Sequence, residues 1–121
     1  MTTTQPHPTT AAATAPSRAK VAVVYTRPDR VLADIDRALR LADYEAHMPH
    51  GPDTLLKINI SWQHFYPACS TTPWQLDGAI RSLHGMGYDG LIPAQNGTVV
   101  VDSHEGEIKN KHKAVLDRHG L

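Results

Sequence analysis

Residues 55–76 read LLKINISWQHFYPACSTTPWQL, and the fold turns on this stretch. Its first eight residues alternate. Leu56, Ile58, Ile60 and Trp62 share one face, and Lys57, Asn59 and Ser61 share the other, because strand side chains repeat every two residues. A strand in the middle of a parallel sheet is normally apolar on both faces. A polar row therefore marks either an edge strand with one wet face or the lining of a groove. In a groove, Lys57 brings a compact positive charge, and Asn59 brings both a donor and an acceptor.

Farther along, Pro73 suits the first position of a helix, where its missing N–H would be unpaired anyway. Thr72, before the proline, is pushed toward the extended geometry of an N-cap. The hydroxyls of Ser70, Thr71 and Thr72 thus crowd a helix N-terminus, where free N–H groups and the macrodipole favour an anion. Plain capping explains the same residues. Lys57, on the strand that feeds the loop, is what adds the anion-binding sense.

Working outward toward the N-terminus, residues 21–26 (VAVVYT) form a β-branched run of the kind expected in a buried strand. Arg27-Pro28-Asp29 then opens a helix with Pro28 at its first position. Val31, Leu32, Ile35, Ala38, Leu39 and Ala42 recur at helical spacing, with Asp34, Asp36, Arg37 and Arg40 on the wet side. His50-Gly51-Pro52-Asp53 is a turn cluster. Residues 1–19 are Thr, Ala, Pro and Gln with almost no large apolar side chain, and they read as a disordered tail. The tail has neither the basic start nor the apolar centre of a signal peptide.

Toward the C-terminus, Leu76, Ala79, Ile80 and Leu83 make the buried stripe of a helix that closes at Gly85 and Gly87, with Trp74 in its first turn. Residues 91–94 give a third strand and 98–102 (TVVVD) a fourth, and Asn96-Gly97 between them signals a β-hairpin. Residues 103–107 read as a polar loop. Residues 108–119 read as one basic helix with Val115 and Leu116 inward and Gly120 as its cap. A helix closing on glycine normally hands over to another element, so the chain reads as cut after Leu121.

This order implies an α/β domain over 20–121: a mostly parallel, three- to four-stranded sheet with flanking helices and right-handed crossovers. Ligands of such sheets sit outside the carboxyl ends of the strands. Arg27, His64, Tyr66, Ser70, Thr71, Thr72, Gln95 and Asn96 gather on that rim. No glycine-rich dinucleotide motif or Walker loop is present.

Composition excludes several classes. Twelve basic and twelve acidic side chains balance, which leaves no electrostatic footprint for nucleic acid or an anionic membrane. No apolar run is long enough to span a bilayer. The single cysteine, Cys69, rules out an internal disulfide, a four-cysteine cluster and a cysteine zinc knuckle within this chain. A reducing, cytoplasmic compartment is the simplest expectation. His64, His104 and His112, with Cys69 or Asp102, match no standard metal spacing, so no metal is assigned. Cys69 is either a nucleophile beside His64 or a small buried hydrophobe. No catalytic residue is identified, and whether the chain is an enzyme stays open.

The segments LLKINISW, PACSTTPWQL, GAIRSL, GYDGLIPA and NGTVVVD together resemble the N-terminal portion of the proteins called domain of unknown function 362. Their pattern is a strand ending in Lys-x-Asn, a loop, and Thr-x-Pro opening a helix that ends on glycine. Lys57, Asn59, Thr71 and Pro73 match it, and the resemblance covers residues 21–121. It implies no settled activity. Family members are usually much longer, and many hold a ferredoxin-like module with four-cysteine iron–sulfur motifs. The chain lacks that module, so the resemblance implies an N-terminal fragment, and no iron–sulfur cluster is expected within it.

Two functions follow. In the first, the domain binds an anionic small molecule or cofactor through Lys57, Ser70, Thr71, Thr72 and the helix start, with Asn59 and Asn96 orienting it. In the second, it is a non-catalytic partner-binding module, or a subunit of a redox protein whose cluster lies outside this chain. A closed cleft around Lys57 favours the first, and an open patch of Trp62, Phe65, Tyr66 and Trp74 favours the second.

Overall fold

The computed structural model describes residues 19–121, so the expected tail over 1–19 falls almost wholly outside the described residues. Seven elements follow in order: α1 (Val31–Leu41), α2 (Tyr44–His47), β1 (Thr54–Lys57), α3 (Pro73–Gly85), β2 (Leu91–Ala94), α4 (Ser103–Lys109) and α5 (His112–His119). The architecture is α/β, with β1 and β2 paired in parallel as Thr54↔Leu91 through Lys57↔Ala94.

Helix α3 organises the core. Thr72 is its extended N-cap, its hydroxyl accepts the Gln75 N–H at 3.3 Å, and Pro73 follows in the first turn, as the sequence implies. Leu76, Ile80 and Leu83 are buried, and Ile80 is fully enclosed. They meet Ile58 and Ile60 beyond β1, Leu91 of β2, and Val101, Val115 and Leu116. Gly87 ends the helix with a φ of +84°, a conformation that glycine adopts without strain. The register partners Leu55 and Ile92 stay exposed, so the sheet is dry on one face only.

Two charged groups position the helices. On α1, Asp34 is buried and accepts from Arg30 at 2.9 Å, which corrects its expected place on the wet side. That hydrogen bond outweighs burial and holds the carboxyl below its usual range. On α3, buried Asp77 accepts from Arg81 Nε (2.9 Å) and His119 Nε2 (2.7 Å), which ties α3 to the end of α5. Burial pushes the Asp77 carboxyl up, but these two hydrogen bonds together hold it below the ordinary value.

The sheet is smaller than the expected three to four strands. Residues 21–26 form no strand and pair with none among the described residues, and Val21, Val23 and Tyr25 are 82%, 72% and 89% exposed. A β-branched run becomes a buried strand only beside a partner. Residues 98–102 form no strand either, and there is no hairpin at Asn96-Gly97. Thr98 N–H bonds the Val101 carbonyl at 3.1 Å, and Val101 N–H bonds the Thr98 hydroxyl at 3.2 Å, which closes a turn. Asp102 then becomes the N-cap of α4, accepting from His104 and Glu105 N–H at 2.9 Å. The expected polar loop over 103–107 is therefore helical. The expected single basic helix is two, broken where Lys111 takes a φ of +65°. Gly120 caps α5 as anticipated.

Candidate functional site

Past Lys57 the strand ends, and a returning loop takes the place of a neighbouring strand. Asn59 N–H donates to the Thr71 hydroxyl (3.1 Å), and Thr71 N–H donates to the Asn59 carbonyl (3.0 Å). Ser61 N–H donates to the Ser70 hydroxyl (3.3 Å). The Asn59 side-chain amide reaches the Ser61 hydroxyl (2.9 Å) and the Cys69 carbonyl (3.2 Å). Three of the hydroxyls anticipated at the site thus satisfy backbone donors, two along the strand extension and Thr72 at the helix start. Each accepts one bond and keeps its own O–H proton for water or a ligand.

The C-terminal helices pin this loop at both ends, which the sequence did not reveal. Asn110, only 1% exposed, donates from its amide to the Trp62 carbonyl (2.9 Å) and to the Gly106 carbonyl (2.9 Å). Fully buried His112 meets the Thr71 carbonyl at 2.6 Å through Nε2. A carbonyl only accepts, so Nε2 carries the proton, and Nδ1 is left buried without a partner. His112, weighed as a metal ligand, is therefore a clamp on the loop. A fixed polar anchor opposite a loop leaves no periodic signal in a sequence, and Asn110 sits where the helix breaks.

The expected residues divide as follows. Asn59 and Thr71 meet directly, the Ser70 hydroxyl accepts from the Ser61 N–H beside them, and Thr72 follows at the helix start. Lys57 lies two residues before Asn59 with the same parity, exposed, and its Nζ donates to the Ile58 carbonyl at 2.9 Å. Asn96 is exposed two residues beyond Ala94, the register partner of Lys57, and no hydrogen bond joins it to the others. Trp62 leaves the Ile58 and Ile60 face where the chain bends, and stands 45% exposed with its ring 5.5 Å from that of His64. Cys69 is exposed, so it is not a small buried hydrophobe, and no hydrogen bond links it to His64. Among the described residues no three of His, Cys, Asp and Glu are grouped so that they could hold a metal ion. No described helix is long and apolar enough to cross a membrane.

The charge pattern is uneven. Lys20, Arg30, Arg40, Arg81, Lys109, Lys113 and Arg118 each have a carboxylate within 4.0 Å. Arg27, Arg37, Lys57 and Lys111 have none among the described residues. Three of these four border the strand-loop-helix unit. Lys57 feeds it, Lys111 lies over the Phe65 ring at 4.8 Å, and Arg27 lines a cavity with Trp74. Only Arg37 lies elsewhere, on α1.

Comparison with protein-family models, with curated proteins and with solved structures gives no match.

Proposed function

We propose that this α/β domain binds an anionic small molecule or cofactor at the carboxyl ends of its strands. The observation that supports the reading is the set of uncompensated cations. Along the helices, basic side chains are mostly neutralised by carboxylates, whereas Lys57 before the loop, Lys111 over Phe65 and Arg27 beside Trp74 border the strand-loop-helix unit without one. Lys57, Asn59, Ser70, Thr71, Thr72 and Asn96 are the ligand-facing set. Lys57 supplies charge, the hydroxyls and the start of α3 supply donors, and Asn59 is already held in place by the Cys69 carbonyl.

The test is calorimetric titration of inorganic phosphate and small carboxylates into the wild type and Lys57→Ala. One charge-assisted hydrogen bond is worth about 1.5–3 kcal/mol, so the variant should bind about tenfold more weakly or worse. Equal binding by both proteins removes Lys57 from the site.

A second reading has its own support. Trp62, Phe65, Tyr66 and Trp74 are 45%, 42%, 59% and 43% exposed, an open aromatic display rather than a closed cleft. Such side chains suit a partner-binding module. On the resemblance to the domain of unknown function 362 proteins, the partner would be a redox protein or a further part of the same one. Its iron–sulfur cluster would lie elsewhere, since one cysteine cannot supply four thiolates.

A further inference from the structure

Trp74 stands in the first turn of α3, yet 43% of it is exposed, and the core is complete without it. One side of the indole borders a cavity of about 390 Å³ whose other walls are Thr26, Arg27, Pro28 and Val31. That volume is within the range of small-ligand pockets, about 300–1,000 Å³. The wall is the proline ring, the Val31 isopropyl group and the indole, with Arg27 as its one charged side chain. No carboxylate lies within 4.0 Å of that guanidinium among the described residues, although Arg30, three residues on, is bound to Asp34.

We propose that this cavity takes a flat, apolar ligand bearing a single carboxylate, an aromatic monocarboxylate. The ring lies against Trp74, Pro28 and Val31, and the carboxylate meets the planar fork of Arg27, which matches it with two parallel N–H bonds. The proposal stands on the cavity, the indole and the unpaired guanidinium. The starts of α1 and α3 lie beside it and favour the same sign of charge. The preference for one negative charge comes from a second cavity, which shares Pro28, Val31 and Trp74 and is bordered by the carboxylates of Asp29 and Asp77 and by Arg30, whose guanidinium is already bound to Asp34. A dianion or a chain of phosphates would carry negative charge toward Asp29, for which no basic partner is present among the described residues, and would be repelled.

The cavity is a site separate from the strand-end one and is lined by other residues, so the two readings can fail separately. The chain has two tryptophans, and Trp74→Phe identifies which indole N–H signal belongs to Trp74 in proton–nitrogen NMR spectra. The probes are 1-naphthoate, the neutral 1-naphthylmethanol, acetate and 1-naphthyl phosphate. Naphthoate should move the Trp74 indole signal and bind at least about tenfold tighter than the other three. Arg27→Ala and Arg27→Gln should each weaken it about tenfold. Trp74→Ala should weaken it as well, and Lys57→Ala should leave it unchanged. Arg27 is exposed and neither side chain belongs to the core, so these variants keep the core intact. A Trp74 signal that does not respond to naphthoate overturns the proposal. So does unaltered affinity in both Arg27 variants, or naphthyl phosphate binding as well as naphthoate. Loss of naphthoate binding in Lys57→Ala alone moves the carboxylate to the strand face, which sinks the cavity and keeps the strand-end reading. Full binding in the Arg27 and Lys57 variants alike sinks the cavity and leaves the strand-end reading to its own titration with phosphate and small carboxylates.

Discussion

Residues 58–61 and 21–26 both lie outside the sheet among the described residues, and they differ in what meets their backbones. Residues 58–61 carry Ile58 and Ile60 into the core, and the donors of Asn59 and Ser61 are met by hydroxyls of the returning loop. Residues 21–26 have the stronger β composition, but Val21, Val23 and Tyr25 face outward and make no ladder. Partners for the backbone, rather than β propensity, distinguish the two. A polar loop holding Ser70 and Thr71 supplies what a neighbouring strand would have supplied, and among the described residues the valine-rich run has no counterpart to it.

The contrast is broken most strongly at the core. Ile80 is fully enclosed against Ile58 and Ile60, so Ile80→Ala should cost about 2–5 kcal/mol in urea unfolding. Val23→Ala, at a site 72% exposed, should stay within about 0.5 kcal/mol. Comparable losses at both positions would mean that residues 21–26 are buried in solution and that the sheet has a further strand.

A smaller effect is expected where the loop presses on the helices. A Cβ on Gly106 would stand 2.6 Å from Ile60 Cγ2 and 3.4 Å from Gln63 Cα. Gly106→Ala should therefore destabilise by about 1–3 kcal/mol, although alanine is the better helix former. Gly85→Ala, whose Cβ meets nothing within 4 Å, serves as the control and should be neutral or slightly stabilising. If Gly106→Ala unfolds at the same urea concentration as the wild type, α4 does not pack on the strand extension as described.

Much of this was legible in the sequence, and the limits have physical causes. The parity of residues 56–61, the Thr72 cap, the Pro73 start and the stripe of Leu76, Ile80 and Leu83 all follow from local geometry, and all are present. What failed depended on distant partners. The VAVVYT run could be placed in a sheet only by knowing its neighbour. The TVVVD run was overridden by Thr98, whose hydroxyl helps close a turn, and by Asp102, whose side chain caps α4. For the site, the residues from Asn59 to Thr72 could be read from the loop itself. Asn110 and His112 could not, because their bonds span 48 and 41 residues.

The stapling of α3 to α5 by Asp77 gives a pH dependence. The folded-state carboxyl lies below its ordinary 3.8, so the group binds protons more readily in the unfolded chain. Its contribution is complete above about pH 4 and is lost as pH falls through the depressed folded value. Asp34 shifts in the same direction, so its contribution is likewise lost as pH falls. Asp77→Asn should flatten the fall in melting temperature between about pH 4 and pH 2 relative to wild type. An unchanged acid slope would show that the carboxyl is not held low by its partners. The effect at neutral pH should be modest, since Arg81 and Arg118 are largely in water.

The smallest effects separate the hydroxyls themselves. Thr72 protects the Gln75 amide, Thr71 protects the Asn59 amide, and Ser70 protects the Ser61 amide. Removing a cap costs about 1 kcal/mol, and a neutral hydrogen bond at a partly wet site costs about 0.5–1.5 kcal/mol, so stability alone cannot tell these roles apart. Amide hydrogen exchange can. Thr72→Ala should speed exchange at Gln75 and leave Asn59 protected. Thr71→Ala should speed exchange at Asn59, and it leaves the Thr71 carbonyl in place for His112, so the clamp from α5 survives. If the two bonds are independent, each variant changes one amide. If either variant exposes both, the strand extension and the start of α3 open as a single unit. That outcome would place the hydroxyls in one cooperative lock, and a ligand bound there would be expected to slow exchange at Asn59 and Gln75 together.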